Sequence, residues 1–364
     1  MTISTETKLF SPCRLGALEL ANRIVMAPMT RSRATADHIP TDLMVRYYAL
    51  RAEAGLIITE GTSPAADGLG YARIPGLFTD AHVKAWRAVT DAVHAKGGKI
   101  FVQLMHCGRV GHPLNMPAGA RLLAPSAVAA PGQMWTDQEM MQDHPAPEAM
   151  TESDIDAAIV SYVHAAKLAI EAGFDGVELH GANGYLMDQF LNPAANERGD
   201  DWGGTLEKRN KFAVEVATRV VAAIGAERVG IRLSPFGVFN SMAVHEELVP
   251  QFTALAAHLG SLKLAYIHLV DHSAWGAPEV PATLKEAIRQ AFGGPIILSG
   301  GYDATRAEAD LLAGRGELVA FGTPFISNPD FVARVREGKP LTPANQDTFY
   351  TPGEAGYLDY PVLG

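Results

Sequence analysis

Only two of the 364 residues are cysteine, Cys13 and Cys107. No disulfide framework can be built from them, and thiolates alone cannot hold an iron–sulfur or zinc-ribbon cluster. Long apolar runs are missing as well: none approaches the roughly 20 residues that a membrane-spanning helix requires. The opening Met1-Thr-Ile-Ser-Thr-Glu-Thr-Lys8 lacks the charged head and apolar core of a signal peptide. A cytoplasmic location away from the membrane is therefore expected. Basic charge is in deficit, with 30 Lys and Arg against 40 Asp and Glu. A nucleic-acid partner is not expected, because phosphate backbones demand a basic face. Twelve histidines occur without a His-Glu-x-x-His or any clustered His/Cys spacing, and no metal site is expected.

What the chain does contain is apolar residues, 48% of the total, ample for a globular core. Eight short, partly β-branched runs recur: Ile24 to Pro28, Leu56 to Gly61, Ile100 to His106, Gly176 to Gly181, Val229 to Pro235, Tyr266 to Asp271, Pro295 to Gly301 and Leu318 to Phe325. Helical periodicity marks segments near 41–54, 80–96, 151–172, 205–224, 246–260, 281–292 and 304–314, with another near 329–337. Near-continuous apolar runs suit parallel strands covered on both faces. The alternation gives a (β/α)8 count, so the expected fold is a single α/β TIM-barrel domain over residues 1–364 with an N-terminal extension. Thr151-Glu-Ser-Asp154 has a capping-box pattern, and Asn328-Pro329 places a capping side chain before a helix-starting proline. Residues 107–150, rich in Pro, Gly, Ala and Met, form a long excursion after the third run, expected to act as a lid or pocket wall.

Barrel chemistry collects where strands end. The fourth run ends in His180, Asn183 and Tyr185. A His/Asn pair can grip a developing oxyanion while a tyrosine delivers a proton; the competing reading is a core histidine and a packing tyrosine. The first run ends Ala27-Pro28-Met29-Thr30, whose hydroxyl either caps the loop or meets a ligand. Gly61 is either a turn glycine or a point of close backbone approach, and Gln103 either points into the barrel mouth or is a satisfied core amide. Arg232, inside an apolar strand, needs an anionic partner, either a structural carboxylate such as Glu178 or a ligand. Ser299-Gly300-Gly301 and Phe321-Gly322-Thr323, each followed by a helix start, form the kind of phosphate cradle that many barrels build after their last two strands. A phosphorylated planar cofactor with an electron-accepting ring accounts for most of these groups together. A barrel lyase or metal-dependent hydrolase using His180, His268 and Asp271 is an alternative.

The same residues carry a resemblance. The chain resembles the Old Yellow Enzyme family of flavin-dependent ene-reductases from Leu9-Phe10 to Gly356-Tyr-Leu-Asp-Tyr-Pro361, through Asn22-Arg-Ile-Val-Met-Ala-Pro-Met-Thr-Arg31, Gln103-Leu-Met-His106, Gly173-Phe-Asp-Gly-Val-Glu-Leu-His180, Asn183-Gly-Tyr185, Gln189-Phe-Leu191, Trp202-Gly-Gly204 with Glu207 and Arg209, and Asn328-Pro-Asp330. The resemblance implies non-covalent FMN, with NADPH or NADH as reductant and an activated alkene as the small-molecule partner. By the same resemblance Thr30, Gly61 and Gln103 hold the flavin ring, and Arg232 lies near its N1. His180 and Asn183 bind the substrate's carbonyl or nitro oxygen so that hydride reaches the β-carbon, Tyr185 protonates the α-carbon, and Tyr350 lines the substrate pocket. Either a monomer or a homodimer is compatible with it.

Two positions depart from the family pattern. Thr323 stands where an arginine usually meets the FMN phosphate, which implies FMN binding weaker by roughly 10- to 100-fold unless another cation substitutes; a flavin-binding barrel with little turnover is the corresponding alternative. Met105 stands where a tryptophan is common, which implies a wider pocket, because a thioether is smaller and more pliable than an indole.

Overall fold

The eight apolar runs pair as parallel strands in one closed barrel in the computed structural model, which describes residues 7–363. Met1 to Glu6, on which most of the signal-peptide expectation rests, lie outside the described residues, as does Gly364. The strands are β1 (Ile24–Met26), β2 (Leu56–Thr62), β3 (Ile100–Leu104), β4 (Gly176–Gly181), β5 (Val229–Leu233), β6 (Tyr266–Val270), β7 (Ile296–Ser299) and β8 (Leu318–Phe321). Each pairs with the next, and β8 closes on β1 through Val319 opposite Ile24. Around them run α1 (Asp42–Ala49), α2 (Asp80–His94), α3 (Glu152–Glu171), α4 (Leu206–Ile224), α5 (Leu248–Ser261), α6 (Ala282–Phe292), α7 (Ala304–Leu312) and α8 (Phe331–Glu337). No described helix is long and apolar enough to cross a membrane.

Successive strand side chains point to opposite faces. Val25, Ile58, Phe101, Tyr266, Ile297, Leu318 and Ala320 accordingly form one cluster inside the barrel. Ile24, Val177, Ile231, Ile267, Leu298 and Val319 join the larger layer between barrel and helices. The Phe101 and Tyr266 rings, 5.9 Å apart, share the interior. Glycines make room for them: a Cβ on Gly230 would fall 2.2 Å from the Tyr266 ring, and one on Gly176 2.4 Å from Phe101. Overpacking of that kind costs about 1–3 kcal/mol. Leu15 and Leu20, from an N-terminal hairpin (Cys13–Leu15 with Leu18–Leu20), complete this apolar floor. The same parity carries Gln103, Glu178, His180, Arg232, His268 and Ser299 inward above it.

Of the local expectations, one holds as read and others do not. The Thr151 capping box forms with both reciprocal bonds. Asn328, however, does not cap the start of α8, which begins at Phe331; it is the C-cap of the preceding short helix, and its amide donates to Pro324 O at 2.9 Å and Thr342 O at 3.0 Å. That side chain ties a short helix (Thr323–Ser327) to the C-terminal tail. The 107–150 excursion is not structureless, since Gln133–Thr136 and Met140–Asp143 pair antiparallel and Leu123–Ala124 pairs with Glu148–Ala149. These strands are too short to register as periodic runs.

Two buried arginines fasten the tail across the barrel. Arg31 donates to Gly356 O (2.7 Å) and Phe349 O (3.1 Å), and Arg33 donates to Phe349 O (2.7 Å) and Thr348 O (2.9 Å). Tyr357 stacks on Tyr47 at 4.0 Å. Tyr350 is thereby fixed at the rim.

Candidate active site

The end of β4 turns through two consecutive left-handed residues, Asn183 (φ 61°) and Gly184 (φ 72°), a conformation that asparagine and glycine tolerate best. Hydrogen bonds lock the turn from both sides. Asp188 accepts the Gly184 N–H (2.8 Å) and Gln189 donates to Gly184 O (2.7 Å), both from the short helix Leu186–Leu191. Ser234 Oγ accepts the Asn183 N–H (2.9 Å), and Asn240 donates to Asn183 O (2.7 Å), from the loop after β5. Burial pushes the Asp188 carboxyl up to about 7.

His180 is 3% exposed, and its Nδ1 has no partner among the described residues. Burial, reinforced by the Arg232 charge, holds the imidazole well below the usual histidine range, so it is neutral at physiological pH. The side-chain oxygen of Asn183 is also without a partner. The Tyr185 ring meets His180 edge-on at 5.0 Å, and its hydroxyl lies 2.9 Å from that of Tyr71. Burial pushes the Tyr185 phenol up, which keeps its proton in place. The turn thus presents a neutral imidazole, a carboxamide and a protonated phenol together.

Arg232 stands opposite His180 in the β4–β5 register. Glu178 is already engaged, accepting from Gln103 Nε2 at 2.8 Å and facing His268 Nδ1 at 2.9 Å. The carboxylate partner considered for Arg232 is therefore not realised as a contact. Among the described residues Arg232 forms no salt bridge or hydrogen bond, and its Nε is buried without a partner. An unpaired buried guanidinium is costly by several kcal/mol, which suits it to an electron-rich ligand edge. The His180, His268 and Asp271 trio of the hydrolase alternative is not assembled, since Glu178 holds His268 and Lys285 holds Asp271 at 2.6 Å.

A cavity of about 430 Å³ opens beside Arg232. Ala27, Pro28, Met29 and Thr30 line one side, and Ser299, Gly300, Gly301, Phe321, Gly322 and Thr323 line the other, with Trp275 and Tyr350 at its edge. Thr30 makes no side-chain hydrogen bond among the described residues, so the loop-cap reading does not hold. No backbone acceptor among the described residues takes the N–H groups of Gly300, Gly301, Gly322 or Thr323. One part of the expected cradle is altered: the N-terminus of α7 is already capped by Asp303, which accepts the Arg306 N–H at 2.7 Å. Free loop amides, not that helix end, are what this rim offers. Arg306 also brings a guanidinium there, bonded to Gly300 O at 3.1 Å and stacked on Tyr302 at 4.1 Å.

A second, mainly apolar cavity of about 680 Å³ adjoins the first across Tyr350, which lines both and is 61% exposed. Tyr71, Val110, Met134, Trp135 and Met141 form its walls, three of them from the hairpin of the excursion. His180, Asn183 and Tyr185 line neither cavity directly. Arg232 and Tyr71 are the links from the trio to the two spaces. Met105 does not line the pocket as expected: it is 1% exposed, packed with Leu69, Ile74 and Cys107 beside Tyr71 and Tyr185. The close approach at Gly61 is likewise made by Met105, whose sulfur sits 2.5 Å from where a Cβ would stand. Sequence reasoning missed Tyr71, Asn240, Ser234 and Arg306. Only Arg306 left a trace, three residues past the tyrosine-aspartate pair that ends the β7 glycine motif.

Residues 8–342 match the NADH:flavin oxidoreductase / NADH oxidase family. The chain is 46% identical to a chanoclavine-I aldehyde reductase of Penicillium roqueforti, covering 97% of this chain and 96% of that protein. It is 41% identical to a probable flavin mononucleotide-dependent alkene reductase of Leishmania infantum, covering 98% and 97%. Its fold superposes on an old yellow enzyme homologue from Zymomonas mobilis with a TM-score of 0.93 at 40% identity, over 98% of this chain and 100% of that one. Arg232 without a protein partner, the free amides and the adjoining cavity fit non-covalent FMN. The chain therefore belongs to the NADH:flavin oxidoreductase / NADH oxidase family, as an Old Yellow Enzyme-type alkene reductase that uses FMN and is reduced by a nicotinamide nucleotide.

Proposed function

We propose that the chain reduces alkenes activated by a carbonyl or nitro group, and prefers bulky, largely apolar ones. The observation that carries this reading is the β4 turn: a neutral imidazole and a carboxamide beside a phenol that keeps its proton, next to a cofactor cavity. When bound, FMN supplies the hydride taken from the nicotinamide. Thr30 and Arg232, which line the same cavity, would hold the cofactor, and Arg232 would stabilise negative charge on it. His180 and Asn183 donate to the substrate oxygen and stabilise the charge that gathers there. Tyr185 gives its proton to the α-carbon. Tyr350 and the hairpin walls of the 680 Å³ cavity offer an apolar substrate a largely apolar surface to pack against, which supports the preference for size. A relative named as an aldehyde reductase agrees with carbonyl activation.

An anaerobic titration tests the proposal. NADPH or NADH should bleach the flavin absorbance, and an enal or enone should restore it, with polycyclic enones binding more tightly than cyclohexenone. Recolouring by oxygen but by no activated alkene would sink the reading.

In this assignment Arg306, instead of Thr323, supplies the cation to the FMN phosphate. Charge-assisted hydrogen bonds contribute about 1.5–3 kcal/mol, so Arg306→Ala should weaken FMN binding roughly 10-fold or more, and Thr323→Arg should tighten it. Flavin fluorescence quenching during titration of the apoprotein reads both, and an Arg306→Ala protein with unchanged affinity would remove Arg306 from the site.

A further inference from the structure

We infer that Tyr71 is a positioning residue for Tyr185: it donates a hydrogen bond to the acid's oxygen and returns a proton to it from the large cavity. The inference rests on the reading of Tyr185 as proton donor. The two hydroxyls lie 2.9 Å apart, and either could donate by geometry alone. Each phenol has one proton. If Tyr185 spent its proton on Tyr71, none would point at a substrate carbon, so Tyr71 must be the donor.

Tyr71 is well placed for this. It lines the 680 Å³ cavity, whereas Tyr185 does not. Its loop is pinned, since a Cβ on the preceding Gly70 would fall 2.4 Å from Val110 O, and Asn115 donates to Gly70 O at 3.0 Å. Its ring packs against the apolar clusters around Met105 and Met134. Burial disfavours a phenolate at Tyr185, and a hydrogen bond from Tyr71 opposes that effect. In the reaction, the Tyr185 O–H bond breaks as the α-carbon gains the proton. The phenolate then takes the Tyr71 proton, and Tyr71 takes one from water in the cavity. One solvent proton is consumed per alkene, and no electrons move in these steps.

The test mixes pre-reduced holoenzyme with cyclohexenone in a rapid-mixing device. Tyr71→Phe should slow the alkene step about 10- to 100-fold, the loss expected for one hydrogen bond to a charged oxygen. Flavin reduction by NADPH and reoxidation by oxygen, which forms no C–H bond, should stay within about twofold of the parent on the same principle that only the charged oxygen loses a partner. The solvent deuterium isotope effect on the alkene step should rise, and Tyr71→Phe should add no further loss in a Tyr185→Phe background. A slow Tyr185→Phe beside an unimpaired Tyr71→Phe would overturn the inference alone. So would losses that multiply in the double variant, or a flavin reduction slowed to the same extent, since these describe a merely structural tyrosine. If Tyr185→Phe itself leaves the alkene step unchanged, the reading of Tyr185 falls and this inference with it.

Discussion

Tyr185→Phe is expected to lower the rate of alkene reduction by about 10²- to 10⁴-fold, the range for losing a positioned general acid, while flavin reduction by the nicotinamide proceeds at its normal rate. The asymmetry follows from where the phenol sits. Its hydroxyl hydrogen-bonds only to Tyr71 among the described residues and has no bond to a group lining the 430 Å³ cavity. Burial keeps it protonated, so the proton is present when carbanion character develops at the α-carbon. Phenylalanine preserves the ring that packs edge-on against His180, which confines the change to one oxygen. Separate rapid-mixing measurements of the two half-reactions check the outcome. An alkene step as fast as in the parent would mean that water protonates the substrate, and the assignment of the phenol would be wrong.

Removing His180 should act on substrate oxygen instead of on the proton. Oxyanion-type donors contribute about 10²- to 10³-fold each, and His180→Ala should lower alkene turnover by that order. The affinity for phenols, whose oxyanion resembles the enolate, should fall alongside it. Burial and the neighbouring Arg232 hold the imidazole neutral, so it stabilises charge by donating a hydrogen bond and not as a cation; the loss should therefore be similar from pH 6.5 upward, the ordinary histidine range. Asn183→Gly, which removes the carboxamide and tolerates the left-handed backbone at φ 61°, should show a loss in the same direction, because the turn is held by backbone bonds to Ser234 and Asn240 that survive the substitution. Calorimetric titration with a para-substituted phenol reads the ground-state part. Unchanged phenol binding in His180→Ala would contradict the role.

The barrel was legible because each of its strands repeats one rule. A run buried on both faces must be apolar throughout, and the boundaries of Gly176–Gly181 follow from where such a run stops, whereas the last run, read as Leu318 to Phe325, ends as a strand at Phe321 because its remainder enters a short helix. The rim residues were legible for a related reason, since polar groups at the end of an apolar strand have few structural uses. Arg232 is the clearest case: its sequence context demanded a partner, and no carboxylate among the described residues contacts it. The hairpin of residues 133–143, the short helix at Thr323–Ser327 and the role of Asn328 were not legible. These segments are brief, and their hydrogen bonds are satisfied by distant chain, as Asn328 is by Thr342.

The sequence by itself determined the strand count, the strand-end placement of His180, Arg232 and Ser299, and the family, because the alternation of strands with helices and local motifs are properties of neighbouring residues. Only the tertiary structure decided who meets whom across the mouth. It gave Glu178 to Gln103 and His268 and left Arg232 without a partner among the described residues, packed Met105 beside the two phenols, and brought Arg306 to the rim that Thr323 leaves uncharged. It also placed Tyr71, 114 positions away in sequence, against Tyr185. Contacts of that separation depend on loop paths around a closed barrel, and no local period encodes them.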